Sequence, residues 1–235
     1  MLTQYGQFCP IAKASEIFAN RWTPLMMREL MAGSHTFNDL CRGLPLMSRA
    51  VLVTRLRELE YHGVIERRLR ADGTSGDYWL TAEGEAFRPV VSALGHWGLA
   101  HARDRIVPSD LDPSLLMWGL RRRTDIGALP ERRVVVRFEF AGVPASRSAF
   151  NIMWLVLERS GVDVCAKDPG FEVDLIFQGN IADFVAVYLG HSGWCDLAGR
   201  SLVIEGDSDL ARRLPVWLKL DKRVGRDFPV VRPSV

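Results

Sequence analysis

Apolar residues recur at helical spacing through about residue 103, and at a spacing of two from Arg132 onward. A period near 3.6 lays apolar side chains along one face of a helix. A period of two lays them on one side of a half-buried strand. A chain of 235 residues that changes period near its middle suits two small domains of different class. Its 48% hydrophobic and 25% charged content is enough to build a core in each.

The first part reads as four helices, a hairpin and a long helix. Residues 11–19 form a short helix. Thr23-Pro24 marks the next start, with Thr23 as the N-cap and Pro24 in the first turn, and Gly33 as the stop. Thr36-Phe37-Asn38-Asp39 has capping-box spacing, with Asp39 where Glu is usual. Ser48 caps the following helix, whose Leu52, Leu56 and Leu59 fall at i, i+4 and i+7 and form its buried stripe; Gly63 ends it. The extended runs VIERRLR and DYWLT are joined by residues 71–76, which carry hairpin signals. Thr81 caps a helix over 82–103, and Pro89 within it predicts a kink or a split.

Opposite the leucine stripe lie Ala50, Val53, Thr54 and Arg57, with Arg49 and Arg55 flanking. Such a face is small, polar and cationic. It fits a major groove, where small residues allow close approach while Thr and Arg reach bases or phosphates. A solvated amphipathic helix has the same spacing. Context separates the two readings: a short helix and tight turn precede this face, and a hairpin bearing Arg67, Arg68 and Arg70 follows it as a basic wing. Strand alternation sends Arg67 and Arg68 to opposite sides, so at most one of them touches DNA directly.

CPIAKASEIFANRWTPLMMRELMAGSHTFNDL, LPLMSRAVLVTRLRELEYHGVIERR and YWLTAEG together resemble the HxlR-type branch of the MarR-like winged-helix regulators, over about residues 8–105. The resemblance implies a homodimer on a double-stranded, pseudo-palindromic operator, paired through the helix that follows Thr81 and the N-terminal helix. It implies major-groove contacts from Ser48, Arg49, Thr54, Arg55 and Arg57, a phosphate at Thr36, and wing contacts from Arg67 or Arg68. Cys9 matches a cysteine that some members use as a redox or electrophile sensor. Lys13, one turn later, would favour its thiolate. A half-buried Cys9 with no signalling role is the plainer alternative.

From residue 132 the strands are VVVRFEFA, AFNIMWLVLE, VDVCA, FEVDLIFQ and SLVIEG. In FEVDLIFQ the alternation puts Phe171, Val173, Leu175 and Phe177 on one face. Asn180 caps a helix, and Asp207-Ser208 starts a last one that Pro215 interrupts. This half resembles a sterol-carrier-type lipid-binding domain, most closely in DVCAKDPGFEVDL and IEGDSDLARRLPVWL. That implies helices over a twisted sheet with an apolar space between the layers. Phe138, Phe140, Trp154, Phe171, Phe177, Phe184, Tyr188 and Trp217 would line the space and take a small apolar effector. The same aromatics serve equally as plain core.

The expected fold is therefore a mainly α winged helix-turn-helix domain (1–105), a helical linker (106–131), an α+β domain with an antiparallel twisted sheet covered by helices (132–222), and an irregular tail (223–235). A net charge of +2 says little about partners. The cations are mostly arginine, which suits phosphate and guanine and equally follows from codon bias. Cys9, Cys41, Cys165 and Cys195 are widely spaced and suggest neither a zinc site nor a disulfide framework. No nucleotide-binding, zinc-protease or serine-hydrolase motif occurs, and the five histidines are scattered, so no catalytic residue, metal or cofactor is expected. With no leader or membrane-spanning run, the expected place is the cytoplasm. The alternatives are a carrier of apolar ligands whose winged helix makes protein contacts, and a regulator switched through Cys9.

Overall fold

The computed structural model describes residues 4–69, 73, 76–198 and 201–220, with only the backbone of Arg103. The chain forms two compact units, one up to Trp97 and one from Gly98 onward.

The first unit contains α1 (Pro10–Phe18), α2 (Thr23–Met31), α3 (Phe37–Gly43), α4 (Arg49–Tyr61), the hairpin β1 (Ile65–Arg68) and β2 (Asp77–Leu80), α5 (Ala82–Ala86), and the start of α6 (Arg88–His101). Local signals set most boundaries. Thr36 Oγ1 accepts the Asp39 N–H at 3.0 Å, and Ser48 Oγ accepts the Val51 N–H at 3.3 Å. Gly63 closes α4 at φ +70°, where a side chain would be strained. Thr81 Oγ1 caps α5 at Gly84 and donates back to the Gly63 carbonyl. The helix after Thr81 does split, at Phe87, with Pro89 in the first turn of α6. Thr23 is a correction: it lies inside α2, buried and making no cap, because the turn through Asn20 brings Trp22 to the cap position. The core joins Met26, Met27 and Leu30 of α2 to Leu40 of α3 and the α4 stripe Leu52, Leu56 and Leu59.

One charged group sits inside this unit. Glu29 is fully buried. Its Oε1 accepts from Arg28 Nη2 at 2.7 Å, and its Oε2 from Ser34 Oγ at 3.2 Å. Arg28 Nη2 also reaches the Gly43 carbonyl at 3.2 Å, tying α2 to the last residue of α3. Position 43 must be glycine, because a Cβ there would overlap the Glu29 carboxylate.

The second unit holds α7 (Pro113–Arg123), β3 (Val134–Ala141), β4 (Ile152–Glu158), β5 (Gly161–Cys165), β6 (Leu175–Asn180), α8 (Ile181–Tyr188), α9 (Trp194–Leu197), β7 (Val203–Gly206) and α10 (Ser208–Trp217). The strand order is β5-β4-β3-β6-β7. The sheet is mixed rather than antiparallel: β3 and β6 run parallel, pairing Val136 with Leu175 and Phe138 with Phe177. Alternation records which face is buried and is silent on direction. Direction is set by the connection from β5, which brings the chain back to the starting end of β3, where Asp174 N–H donates to the Val135 carbonyl and Asp174 Oδ2 accepts the Val135 N–H.

Val134, Val136, Phe138 and Phe140 of β3 face a core filled from α7, α8, α9 and α10. The segment expected as a linker contributes Leu116, Met117, Leu120 and Leu129 to it. Two further expectations change. The stretch 171–174 is not strand; β6 begins at Leu175, and Phe171 is 41% exposed with the Arg133 guanidinium 3.7 Å from its ring centroid. Nor does Pro215 interrupt α10, which runs on to Trp217 and closes with the Leu220 N–H on the Pro215 carbonyl.

Arg28→Ala would leave Glu29 buried without its charge partner. It is expected to destabilise the first unit by about 3–5 kcal/mol in denaturant unfolding, and Gly43→Ala by about 1–3 kcal/mol through overpacking. Urea midpoints equal to wild type for both variants would show that Glu29 carries no such constraint.

Candidate nucleic-acid interface

The short helix α3, the turn 44–48 and α4 form a helix-turn-helix, and the β1–β2 hairpin follows directly. Burying Leu52, Leu56 and Leu59 leaves Ser48, Arg49, Ala50, Thr54 and Arg57 exposed along the other side of α4. The Arg49 guanidinium lies 5.7 Å from the Phe37 ring centroid, which holds the N-terminal end of α4 against α3. Thr54 Oγ1 donates to the Ala50 carbonyl at 3.0 Å, fixing its rotamer and leaving its oxygen as an acceptor. Thr36 is half-buried, with its hydroxyl engaged in the cap of α3. Arg55 stands apart from this group: it is half-buried and ion-paired with Glu58 on its own helix. Val51, at 39% exposure, joins the outer face instead, a position the leucine spacing alone did not single out.

The hairpin is built from aromatic–arginine contacts. The register sets Arg67 opposite Tyr78 and Glu66 opposite Trp79. Arg67 lies 5.9 Å from the Tyr78 ring centroid, and Arg68 lies 4.9 Å from that of Trp79 while pairing with Glu66 at 2.6 Å. Both arginines are exposed. Arg70 and most of the hairpin tip fall outside the described residues. His35 anchors the wing. Its carbonyl accepts the Tyr78 N–H at 2.8 Å, its Nδ1–H donates to the Tyr78 carbonyl at 3.0 Å, and its ring stacks 3.7 Å from Trp79. The residue just before the α3 cap thus sets where the wing stands. No local signal announces this, since the partners are 43 residues apart.

Cys9 is half-exposed at the N-cap of α1, and none of the four cysteines is in a disulfide. Lys13 is held by Glu16 at 3.0 Å rather than standing free beside Cys9. The Lys13 ammonium and the Tyr5 N–H keep the Glu16 carboxyl below its ordinary range. Burial pushes the Cys41 thiol up, against the pull of Arg49.

The aromatics of the second unit divide. Phe138, Phe140, Phe177, Phe184 and Trp217 lie in the helix-covered core, where Phe138 meets Phe177 at 5.6 Å and Phe140 meets Phe184 at 5.2 Å. Tyr188 packs at its edge, across Gly119 of α7 and under Arg123. Trp154 is elsewhere: it pairs in register with Arg137 and points to the opposite side of the sheet, and Phe171 lies outside the core on the surface. Among the described residues no cluster of three or more His, Cys, Asp or Glu is gathered that could hold a metal, and no helix is long and apolar enough to cross a membrane.

Residues 17–105 match the HxlR-like helix-turn-helix family. YvaP of Bacillus subtilis, an uncharacterized HTH-type transcriptional regulator, is 35% identical over 109 residues, which are 46% of this chain and 97% of that protein. The regulator sll1512 of Synechocystis is 36% identical over 40% of this chain and 70% of its own length, and the B. subtilis regulator YodB is 30% identical over 38% and 81%. The solved reduced form of YodB aligns over 42% of this chain and 98% of that one, at 26% identity and a TM-score of 0.37. With its helix-turn-helix and hairpin in place and a 35% identical regulator covered over 97% of its length, the chain belongs to the HxlR-like helix-turn-helix family.

Proposed function

We propose that this chain is a sequence-specific, DNA-binding transcription regulator that acts as a homodimer on an inverted repeat. The observation that carries this reading is the outer face of α4, where Ser48, Arg49, Thr54 and Arg57 stand together beside an arginine-bearing wing. In this reading Arg49 and Arg57 reach base edges or phosphates, Thr54 and Val51 allow close approach in the groove, and Arg67 or Arg68 contacts the flanking backbone. Arg55, committed to Glu58, serves α4 more than the DNA. Thr36 contributes by ordering the N-terminus of α3 near a phosphate.

The dimer reading rests on α6. None of its residues is buried, and Val90, Leu94 and Trp97, at i, i+4 and i+7, are 45%, 52% and 56% exposed. Ile11 and Phe8 at the N-terminus add further exposed apolar surface. A second copy of the chain is the occupant that suits both faces, because one recognition helix reads one half-site and an inverted repeat needs two. The matched regulator YvaP is covered over 97% of its length by 46% of this chain, and in this reading the second unit is an addition to such a core. In this reading it is the input, taking an effector that changes operator affinity. A DNA-reading role places the protein with the chromosome, in the cytoplasm.

Arg49→Ala combined with Arg57→Ala is expected to weaken operator binding by about 2–6 kcal/mol in an anisotropy titration, at about 1–3 kcal/mol per lost base contact. If the two arginines contact phosphates instead, the loss falls equally on random DNA and the salt slope drops by about 0.9 per contact. Unchanged affinity for both DNAs would remove α4 from the interface. Leu94→Asp is expected to turn a dimer into a monomer in sedimentation; a dimer that persists would place its interface elsewhere.

A further inference from the structure

All the core-forming helices of the second unit pack on one face of its sheet. Strand register defines what the other face carries: Val135, Arg137 and Glu139 of β3, Val156, Trp154 and Ile152 opposite them on β4, and Ile176 and Gln178 beside the last two pairs on β6; Val135 and Val156 are buried. Most of the polar groups there are satisfied. Arg137 Nη2 meets Glu139 Oε1 at 2.7 Å, and the other oxygen of Glu139 accepts Gln178 Nε2 at 3.0 Å. This Arg–Glu–Gln chain fixes the guanidinium, whose carbon lies 5.9 Å from the Trp154 ring centroid.

Two donors are left over. Trp154 is only 9% exposed, and among the described residues its indole N–H has no acceptor; Arg137 Nε–H is also buried and has none among them. Buried N–H groups are almost always paired, so two orphans on register neighbours mark a place where an acceptor belongs. Both are donors, one is charged, and they belong to residues paired across β3 and β4. A carboxylate has the matching chemistry, with two acceptor oxygens and a negative charge. Ile152, at 36% exposure, and the half-buried Ile176 flank the pair and offer an apolar bed for the rest of such a molecule.

We propose that the face of this sheet turned away from the aromatic core binds a small organic carboxylate with an apolar body, its carboxylate held by Trp154 Nε1–H and Arg137 Nε–H. The site lies on the opposite side of the sheet from the aromatic core, which is filled by its own side chains. The proposal rests on the reading of the second unit as an input. Its test reads binding rather than operator affinity, so the two can fail separately.

The experiment is a titration of the full-length, ¹⁵N-labelled protein followed at its indole N–H resonances, with Trp154 assigned from Trp154→Phe. The probes are benzoate and hexanoate, against methyl benzoate and inorganic phosphate. The Trp154 resonance is expected to move saturably with both acids and to stay in place with the ester and with phosphate. Arg137→Leu is expected to raise the dissociation constant at least tenfold, with Arg137→Lys in between. A Trp154 resonance that ignores both acids, or follows the ester equally, would overturn the site. Equal movement with phosphate would show an adventitious anion site and overturn the assignment to organic acids, and unchanged affinity in Arg137→Leu would exclude the guanidinium. Should Arg137→Leu not fold, the acid-against-ester comparison on wild type and the Lys variant decide. Saturable acid binding with unchanged operator affinity would keep the site and refute the regulatory role.

Discussion

Glu29 places a carboxylate where no water reaches, and the first unit is arranged around keeping it there. A buried charge is tolerated only when its lone pairs are met. Arg28 meets it from the same helix and Ser34 from the turn that follows, while the arginine goes on to hold the final carbonyl of α3. Glycine at 43 lets α3 approach closely enough for this. The result fixes the crossing of α2 and α3, and α4 is then seated by Leu52, Leu56 and Leu59 against both. A helix that presents arginines to a groove is useful only if its own position is rigid. The polar network supplies the angle and the leucines supply the adhesion.

The wing is held by a different device. His35 lends its backbone and ring to β2, so the segment leading into α3 also carries the hairpin. Stacking of Trp79 between this ring and the neighbouring arginine keeps an exposed two-stranded ribbon in shape where so short a hairpin would be marginal alone. Helix-turn-helix and wing are thus positioned from one turn of chain, 33–36, in agreement with a surface that works as a unit.

In the second unit, layering separates two kinds of chemistry. The helix-covered side of the sheet is closed by aromatics that touch one another, and the other side keeps charged and hydrogen-bonding groups among a few apolar ones. Reading both sides as one aromatic-lined space joined Trp154 and Phe171 to residues they never meet. Period-two alternation predicts that neighbours in a strand part company; it does not say which residues of one strand share a side with those of the next.

What the sequence determined by itself is local. The caps at Thr36, Ser48, Asn180 and Asp207 and the leucine stripe of α4 depend on residues within a turn or two, and they form where the spacing puts them. The exposed Arg49 and Arg57 of α4 follow from the same short-range period. Tertiary structure decided whatever depends on partners distant in the chain. It set the parallel pairing of β3 with β6 and the truncation of the strand at Leu175. It also placed His35 against Tyr78 and brought Arg137 beside Trp154 with two donors unmet. The physical reason is the same in each case: hydrogen-bond and packing energies between segments outweigh local preference, and residue spacing along the chain carries no record of which distant segment will arrive.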